Sequence, residues 1–303
     1  MILRLICAFA FSVTSLALSQ EASVAPAETK RSLKFHRPHQ VGETYLYTAS
    51  VSQYRTTDIV ADDQRHPGGS ENLDLSLKGV LEITKVTPEF GNVLGMTFTV
   101  EKMSLTDAEG SQSGLDPGTV ITASHSEGGP IFTAGGRELD GLLKQAFDLG
   151  LPTINAIDEP TDAILAPPGP VAVGETWKMN RTKLAETLKK MRKGEIDTDQ
   201  TKATVTYQGS ATLEGVETDT MVGSTHLVYT KLEGLPENLR LLSSTYTHDN
   251  TTALPRDPAL RHIPRESTVA ESRARFAVKQ ADEEFELEVK TNLEIRRTST
   301  PKP

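Results

Sequence analysis

The sequence predicts a mainly β protein: a β-rich α+β chain of antiparallel curved sheets built from two related halves, each with one short helix. Three observations lead there. Long stretches alternate apolar and polar residues. The clearest sets Phe285, Leu287, Val289, Thr291, Leu293 and Ile295 against Glu284, Glu286, Glu288, Lys290, Asn292 and Glu294, the period of a strand with one buried and one wet face. Clusters of Gly, Pro, Asn and Asp separate these stretches, as turn chemistry requires. A phrase also occurs twice: Val41-Gly42-Glu43-Thr44 runs into Tyr45, and Val173-Gly174-Glu175-Thr176 runs into Trp177, the single tryptophan. Each follows a proline-bearing approach, which marks two halves of similar plan.

The N-terminus reads as a secretory signal. Arg4 supplies the positive charge, and Leu5 to Leu18 is an apolar run too short to span a bilayer. Cleavage is expected after Ser19, leaving residues 20–40 as a mobile leader rich in Ala, Ser, Glu and Pro. Residues 41–166 form the first half, 167–170 a proline-rich linker, 171–297 the second half and 298–303 a disordered tail. The one cysteine, Cys7, lies inside the apolar run, so the mature chain is expected to hold no disulfide, thiolate metal site or cysteine nucleophile. The net charge of −9 argues against general nucleic-acid binding, which needs a basic footprint. No later stretch reaches the length of a membrane-spanning helix.

Within the first half, Tyr45, Tyr47, Ala49 and Val51 alternate with Leu46, Thr48, Ser50 and Ser52, a strand pattern. Asp58 to Asn72 is polar and reads as a loop. Leu73 to Lys85 and Val93 to Met103 form a hairpin across Thr87–Asn92, and shorter strands follow at Thr119–Ser124 and Pro130–Ala134. Glu138 to Leu149 reads as a helix, because Leu139, Leu142, Leu143, Ala146 and Phe147 make one stripe. In the second half Asn180 caps a helix over Arg181–Lys193 whose stripe is Leu184, Leu188 and Met191. Strands are expected at Thr201–Tyr207, Ser210–Leu213, Thr220–Leu232 and Leu239–His248, and a loop at Asn250–His262. A hairpin of Ser267–Val278 with Glu283–Arg296 turns across Lys279–Asp282.

The common catalytic signatures are missing: no Gly-x-Ser-x-Gly, His-Glu-x-x-His, Gly-x-Gly-x-x-Gly or phosphate-loop pattern occurs. His36 and His39 have metal-ligand spacing only on a helix, which Pro38 forbids. Asp197-Thr198-Asp199 resembles the start of a calcium loop, but Lys202 and Gln208 stand where glycine and glutamate are needed, so it reads as an acidic turn. The helix from Arg181 is the one basic island, with Lys183, Lys189, Lys190, Arg192 and Lys193 against Glu186. It fits contact with an anionic surface, or the wet face of an amphipathic helix with its cations late in the dipole. Trp177 and Tyr45 read as core anchors of each half's first strand, with stacking on a sugar or lipid as the other use of such rings. Tyr45, Trp177, Arg181, Lys189 and Lys190 are therefore the ligand-binding candidates. No catalytic residue, metal ligand or cofactor site is assigned. An enzyme would need His125, His226 or His248 to converge with acidic residues in a cleft. Asn180-Arg181-Thr182 and Asn250-Thr251-Thr252 match the glycosylation pattern.

At Pro170 to Trp177, and at Gly42 to Tyr45, the chain resembles a group of exported bacterial proteins of unknown function. In these, a Val-Gly-acidic-Thr/Ser-Trp phrase opens the second half and a Gly-acidic-Thr-Tyr phrase opens the first. The hairpin around Thr87–Asn92 and the helix before the proline linker are similar too. The resemblance implies a signal sequence and a β-rich repeat, and transfers no activity or site. Many members are lipoproteins, and the missing cysteine at the cleavage point departs from that. The expected function is an exported, non-catalytic binding or envelope-associated protein, periplasmic or secreted. It would hold an apolar or amphiphilic ligand, or a protein partner, on a concave sheet of the kind seen in periplasmic lipoprotein carriers. A lipid, a polysaccharide or an envelope protein are the partners in view. An extracytoplasmic hydrolase and a structural surface protein are the alternatives.

Overall fold

The computed structural model describes residues 30–61, 64–110, 112–126, 129–154, 161–190, 194–280 and 283–302. The expected signal segment, residues 20–29 of the leader, Met191, Arg192 and Lys193 of the basic helix and Ala281–Asp282 in the last turn lie outside them. The first strands are β1 (Thr44–Ala61), β2 (Gln64–Val86), β3 (Val93–Thr106), β4 (Gln112–Ser113), β5 (Val120–Ser126), β6 (Gly129–Ala134) and β7 (Arg137–Glu138). Helices α1 (Gly141–Gly150) and α2 (Asp162–Leu165) follow. Then come β8 (Thr176–Lys178), helix α3 (Arg181–Lys190), β9 (Glu195–Ile196), β10 (Lys202–Leu213), β11 (Val216–Lys231), β12 (Leu239–Pro255), β13 (Arg265–Gln280) and β14 (Glu283–Pro301).

All these strands belong to one antiparallel, curved sheet in the order β7-β6-β5-β3-β2-β1-β14-β13-β12-β11-β10-β8, with β4 on β3 and β9 on β11. The mainly β expectation is met. Two meanders run outward from the middle, where β1 pairs with β14 from Tyr45↔Pro301 to Val60↔Glu286. The register carries one parity across the whole sheet: Tyr47, Ser299, Leu81, Glu266, Asn250, Gly223, Val205 and Trp177 share its inner face.

The repeated phrase does the same work twice. Gly42 N–H donates to Ile83 O (2.8 Å), Ile83 N–H to Glu43 O (2.9 Å) and Glu43 N–H to Gln40 O (3.3 Å). The second copy repeats this with Gly174 to Tyr207 (2.7 Å), Tyr207 to Glu175 (3.0 Å) and Glu175 to Ala172 (3.1 Å). Both glycines sit at positive φ, +90° and +82°, where a Cβ would be strained. Beyond the phrase the halves diverge. Helices α1 and α2 follow the first meander, whereas α3 interrupts the second between β8 and β10.

Two hydrophobic cores lie on the inner face. The first gathers Tyr47, Leu75, Leu77, Leu81, Met96, Phe98 and Ile121 under Ala146 and Phe147 of α1. Tyr47 Oη donates to Gly150 O at 2.6 Å and fixes the end of that helix. The second core gathers Trp177, Val205, Tyr207, Met221 and Leu254 with Leu33, Phe35 and Val171. Asn180 caps α3 as expected, accepting from Lys183 N–H at 3.1 Å.

Several expectations are corrected. Asp58 to Asn72 is not a loop, because β1 and β2 extend into a long hairpin. Residues 64–71 are all exposed, so no core imposes alternation there, and backbone pairing with the ion pairs Arg65–Glu288 and Arg55–Glu71 holds the strand. Asn250 to Pro255 is strand as well, the end of β12. Residues 30–40 are not a mobile leader but a packed strap. Leu33 and Phe35 are buried, Arg31 and Val171 exchange two backbone bonds at 2.7 and 2.8 Å, and His39 N–H donates to Gly91 O at 2.9 Å. The tail is not disordered through Pro301, because β14 continues beside β1 and Ser299 is buried. Glu288, expected on the wet face, is 1% exposed. Arg273 binds it, Arg65 reaches it at 2.8 Å and Lys290 at 4.0 Å, and long basic side chains can lay their stems over a charge.

Gly79 lies opposite Tyr47 on the inner face. A Cβ there would stand 2.1 Å from Thr99 O and 2.6 Å from the Phe98 ring. Gly79→Ala is therefore expected to cost about 3 kcal/mol through overpacking, read as a fall in the urea midpoint at unchanged slope.

Candidate functional site

The second core is not filled. A cavity of about 350 Å³ opens between the strap, α2 and the inner face of β10 to β13. Phe35, Leu165, Met179, Val205, Met221, Leu254 and Ile263 make its apolar walls, and Thr225, His248, Asn250, Thr252 and Glu266 its polar side. Its floor is notched at Gly223, which pairs with Val205 and Asn250. The nearest atom to a Cβ built at Gly223 is Met179 Cε at 3.4 Å, so the missing side chain is part of the space. A glycine inside a strand commonly marks such a close approach or opening. A furrow of about 360 Å³ on the outer face is more open and is lined mostly by polar residues, among them Ser50, Ser52, Asp74, Ser76, Glu294 and Arg296.

The polar side belongs to a seam that crosses the sheet between the two cores. Thr252 Oγ1 donates to Asn250 Oδ1. Asn250 Nδ2 donates to Glu266 Oε1 at 2.9 Å and to Thr268 Oγ1 at 3.0 Å. Arg297 pairs with Glu266 Oε2 at 3.0 Å and donates to Leu149 O at 2.6 Å. The seam thus ties β12, β13 and β14 to the end of α1. These bonds offset most of the desolvation cost of the polar groups, while Arg297 Nε is left without a partner. His248 stacks on Tyr246 with centroids 5.8 Å apart. Burial pushes its pKa down against the pull of Glu266 and Asp249, so the imidazole is neutral at pH 7.

None of the five ligand-binding candidates lines the cavity, although His248, named for the enzyme alternative, does. Trp177 is 7% exposed and stands behind the wall, its Nε1–H donating to Leu165 O at 2.7 Å and its ring edge-on to Phe35 at 6.3 Å. Tyr45 closes the top of the first core and donates to Glu43 Oε2 at 2.6 Å. Arg181 donates to Thr198 O and Thr201 O at 2.7 and 3.2 Å, bracing the Asp197 turn. Lys189 pairs with Glu195 at 3.1 Å, and Lys190 is exposed at the end of α3. The histidines do not converge. His125 lies exposed on β5, His226 on the outer face of β11 and His248 on the inner face of β12. His39 turns to Glu43 at 3.0 Å and His36 packs against the Phe90 ring at 6.1 Å. Sequence reasoning missed Gly223, Asn250, Thr252 and Glu266. Asn250 and Thr252 are polar residues that read as loop until pairing is known, Glu266 stands just before an expected strand, and Gly223 lies inside one, where a missing side chain does not by itself mark a site.

Glu43 and His262 set two pH windows near the strap. Glu43 receives Tyr45, His39 and, at 2.8 Å, Arg261. Burial pushes its carboxyl up, but the bonds from His39, Tyr45 and the Gln40 backbone outweigh this and bring it down to about 2. His262 is 3% exposed with neither ring nitrogen hydrogen-bonded. Burial pushes its pKa down, opposed by Glu214. Both groups hold protons more weakly folded than unfolded, so stability falls as pH falls. For His262 the loss starts near pH 6.5, and His262→Leu is expected to flatten part of the decline as pH falls below that. His248, shifted the same way, keeps the rest. For Glu43 the contribution, about 2 kcal/mol after screening, is complete above about pH 4.5 and lost toward pH 2, so Glu43→Gln should flatten part of that window, Glu288, shifted the same way, keeping the rest. Urea midpoints measured across pH 2–8 check both.

No protein-family model matches the chain, and neither does any curated protein. Two of the solved structures that match it align with most of its length. A lipovitellin structure, described for its lipid–protein interactions, aligns with 87% of the chain at 12% identity and a TM-score of 0.38; the chain spans only 26% of that one. An outer membrane channel from Pseudomonas putida F1 aligns with 86% of the chain and 97% of its own length, at 10% identity and a TM-score of 0.18.

Proposed function

We propose that the chain is an exported, non-catalytic binding protein that holds an apolar or amphiphilic ligand in the cavity between the strap and β10 to β13. The observation that carries this is the cavity itself, with apolar walls, one polar side and a glycine-notched floor. Its size lies in the range of small-molecule sites. A cavity in the core leaves dispersion contacts unmade, and a ligand would supply them. The apolar run Leu5–Leu18 supports export, and the repeated phrase supports membership in the group of exported proteins that the sequence resembles. Three histidines kept apart favour binding over hydrolysis.

Gly223→Val tests the reading. Valine suits a strand interior, and its side chain would take up the notch beside Met179. The variant is expected to keep its fold and to bind Nile red, a neutral dye of apolar sites, at least ten-fold more weakly. Native mass spectrometry of protein purified from its own host should show a bound mass that the variant lacks. Unchanged dye binding by Gly223→Val would remove the cavity as the site.

A further inference from the structure

The cavity's polar side also discriminates by charge. Among the described residues, Glu266 is the only charged side chain that lines it. No lysine or arginine joins the lining, and Arg297 is already committed to Glu266 and Leu149 O. An anionic headgroup would therefore give up its hydration beside a carboxylate with no cation to receive it. A second cation would meet a carboxylate that Arg297 already neutralises, and would bring its own desolvation cost.

The hydrogen-bond inventory points the same way. Both N–H bonds of the Asn250 amide are spent on Glu266 and Thr268. The Thr252 proton is spent on Asn250. Each Glu266 oxygen has accepted one bond and keeps a free lone pair, as does the Thr252 hydroxyl. The wall thus offers several acceptors from this network, against the Thr161 hydroxyl and one N–H of the neutral His248 ring as donors.

We infer that the site takes a neutral amphiphile whose head donates hydrogen bonds, such as a long-chain alcohol, in preference to a fatty-acid anion or an alkylammonium. This rests on the binding reading above. At about 30 Å³ per water-sized atom, 350 Å³ holds a chain of roughly ten carbons and its head.

The test is displacement of Nile red from the wild-type protein at pH 7.5 by decanol, decanoate and decylammonium. Decanol is expected to compete at a concentration at least ten-fold lower than either ion. Glu266→Gln, which removes the charge and leaves Arg297 unpaired, should bring decanoate within about three-fold of decanol. The wild-type ranking decides the matter even if that variant does not fold. If decanoate or decylammonium competes as well as decanol, and Gly223→Val weakens all three, the cavity binds but the headgroup inference is overturned. If the wild-type protein binds neither the dye nor any of the three, the binding reading falls with it.

Discussion

The pairing of the first strand with the last governs the molecule. β1 and β14 lie side by side in the middle of the sheet, in register from Tyr45↔Pro301 to Val60↔Glu286. Each meander would otherwise end in a long, unpaired central edge, a template for association with other chains. Joined, they place at the two ends of the strand order the short β7 and β8, strands of two and three residues. The pairing also aligns the pleats of both halves, so that two cores separated along the chain lie on one face. It requires residues at opposite ends of the chain to meet, and contacts of such long sequence separation make folding slow.

That shared face is not one continuous hydrophobic layer. The Arg297–Glu266–Asn250–Thr252 seam divides it. A buried ion pair of this kind contributes little net stability, because desolvation offsets the attraction. Its effect here is positional. It holds β12, β13 and β14 to the end of α1, and it gives the cavity a polar side that an apolar joint would not provide. The outer face handles charge differently, by covering Glu288 with Arg65, Arg273 and Lys290.

The repeated phrase separates what backbone and side chains contribute. The two copies make the same three backbone bonds, yet their glutamates differ. Glu43 is enclosed by Tyr45, His39 and Arg261, whereas Glu175 is exposed and accepts from Ala172 N–H at 3.0 Å. The aromatic residues differ in the same way: Tyr45 donates to a neighbouring carboxylate, and Trp177 to the carbonyl that ends α2. The phrase is a device for starting a strand, and each half has fitted its side chains to local partners.

Local chemistry alone determined the mainly β class, the β2–β3 and β13–β14 hairpins, the positive-φ glycines of both phrases and the Asn180 cap. Each depends on residues near in sequence: alternation against a core, a glycine at a turn, an amide before a helix. Tertiary structure decided the rest. Residues 64–71 and Asn250–Pro255 carry no apolar alternation, the first because both faces are exposed, the second because the inner face there is a polar seam. Leu33 and Phe35 are two apolar residues in a polar run, too few to show a period, and only the space beside Trp177 explains their burial. The cavity was hidden for the same reason. Gly223, Asn250 and Glu266 stand on three different strands, and only the register of β11, β12 and β13 brings them together.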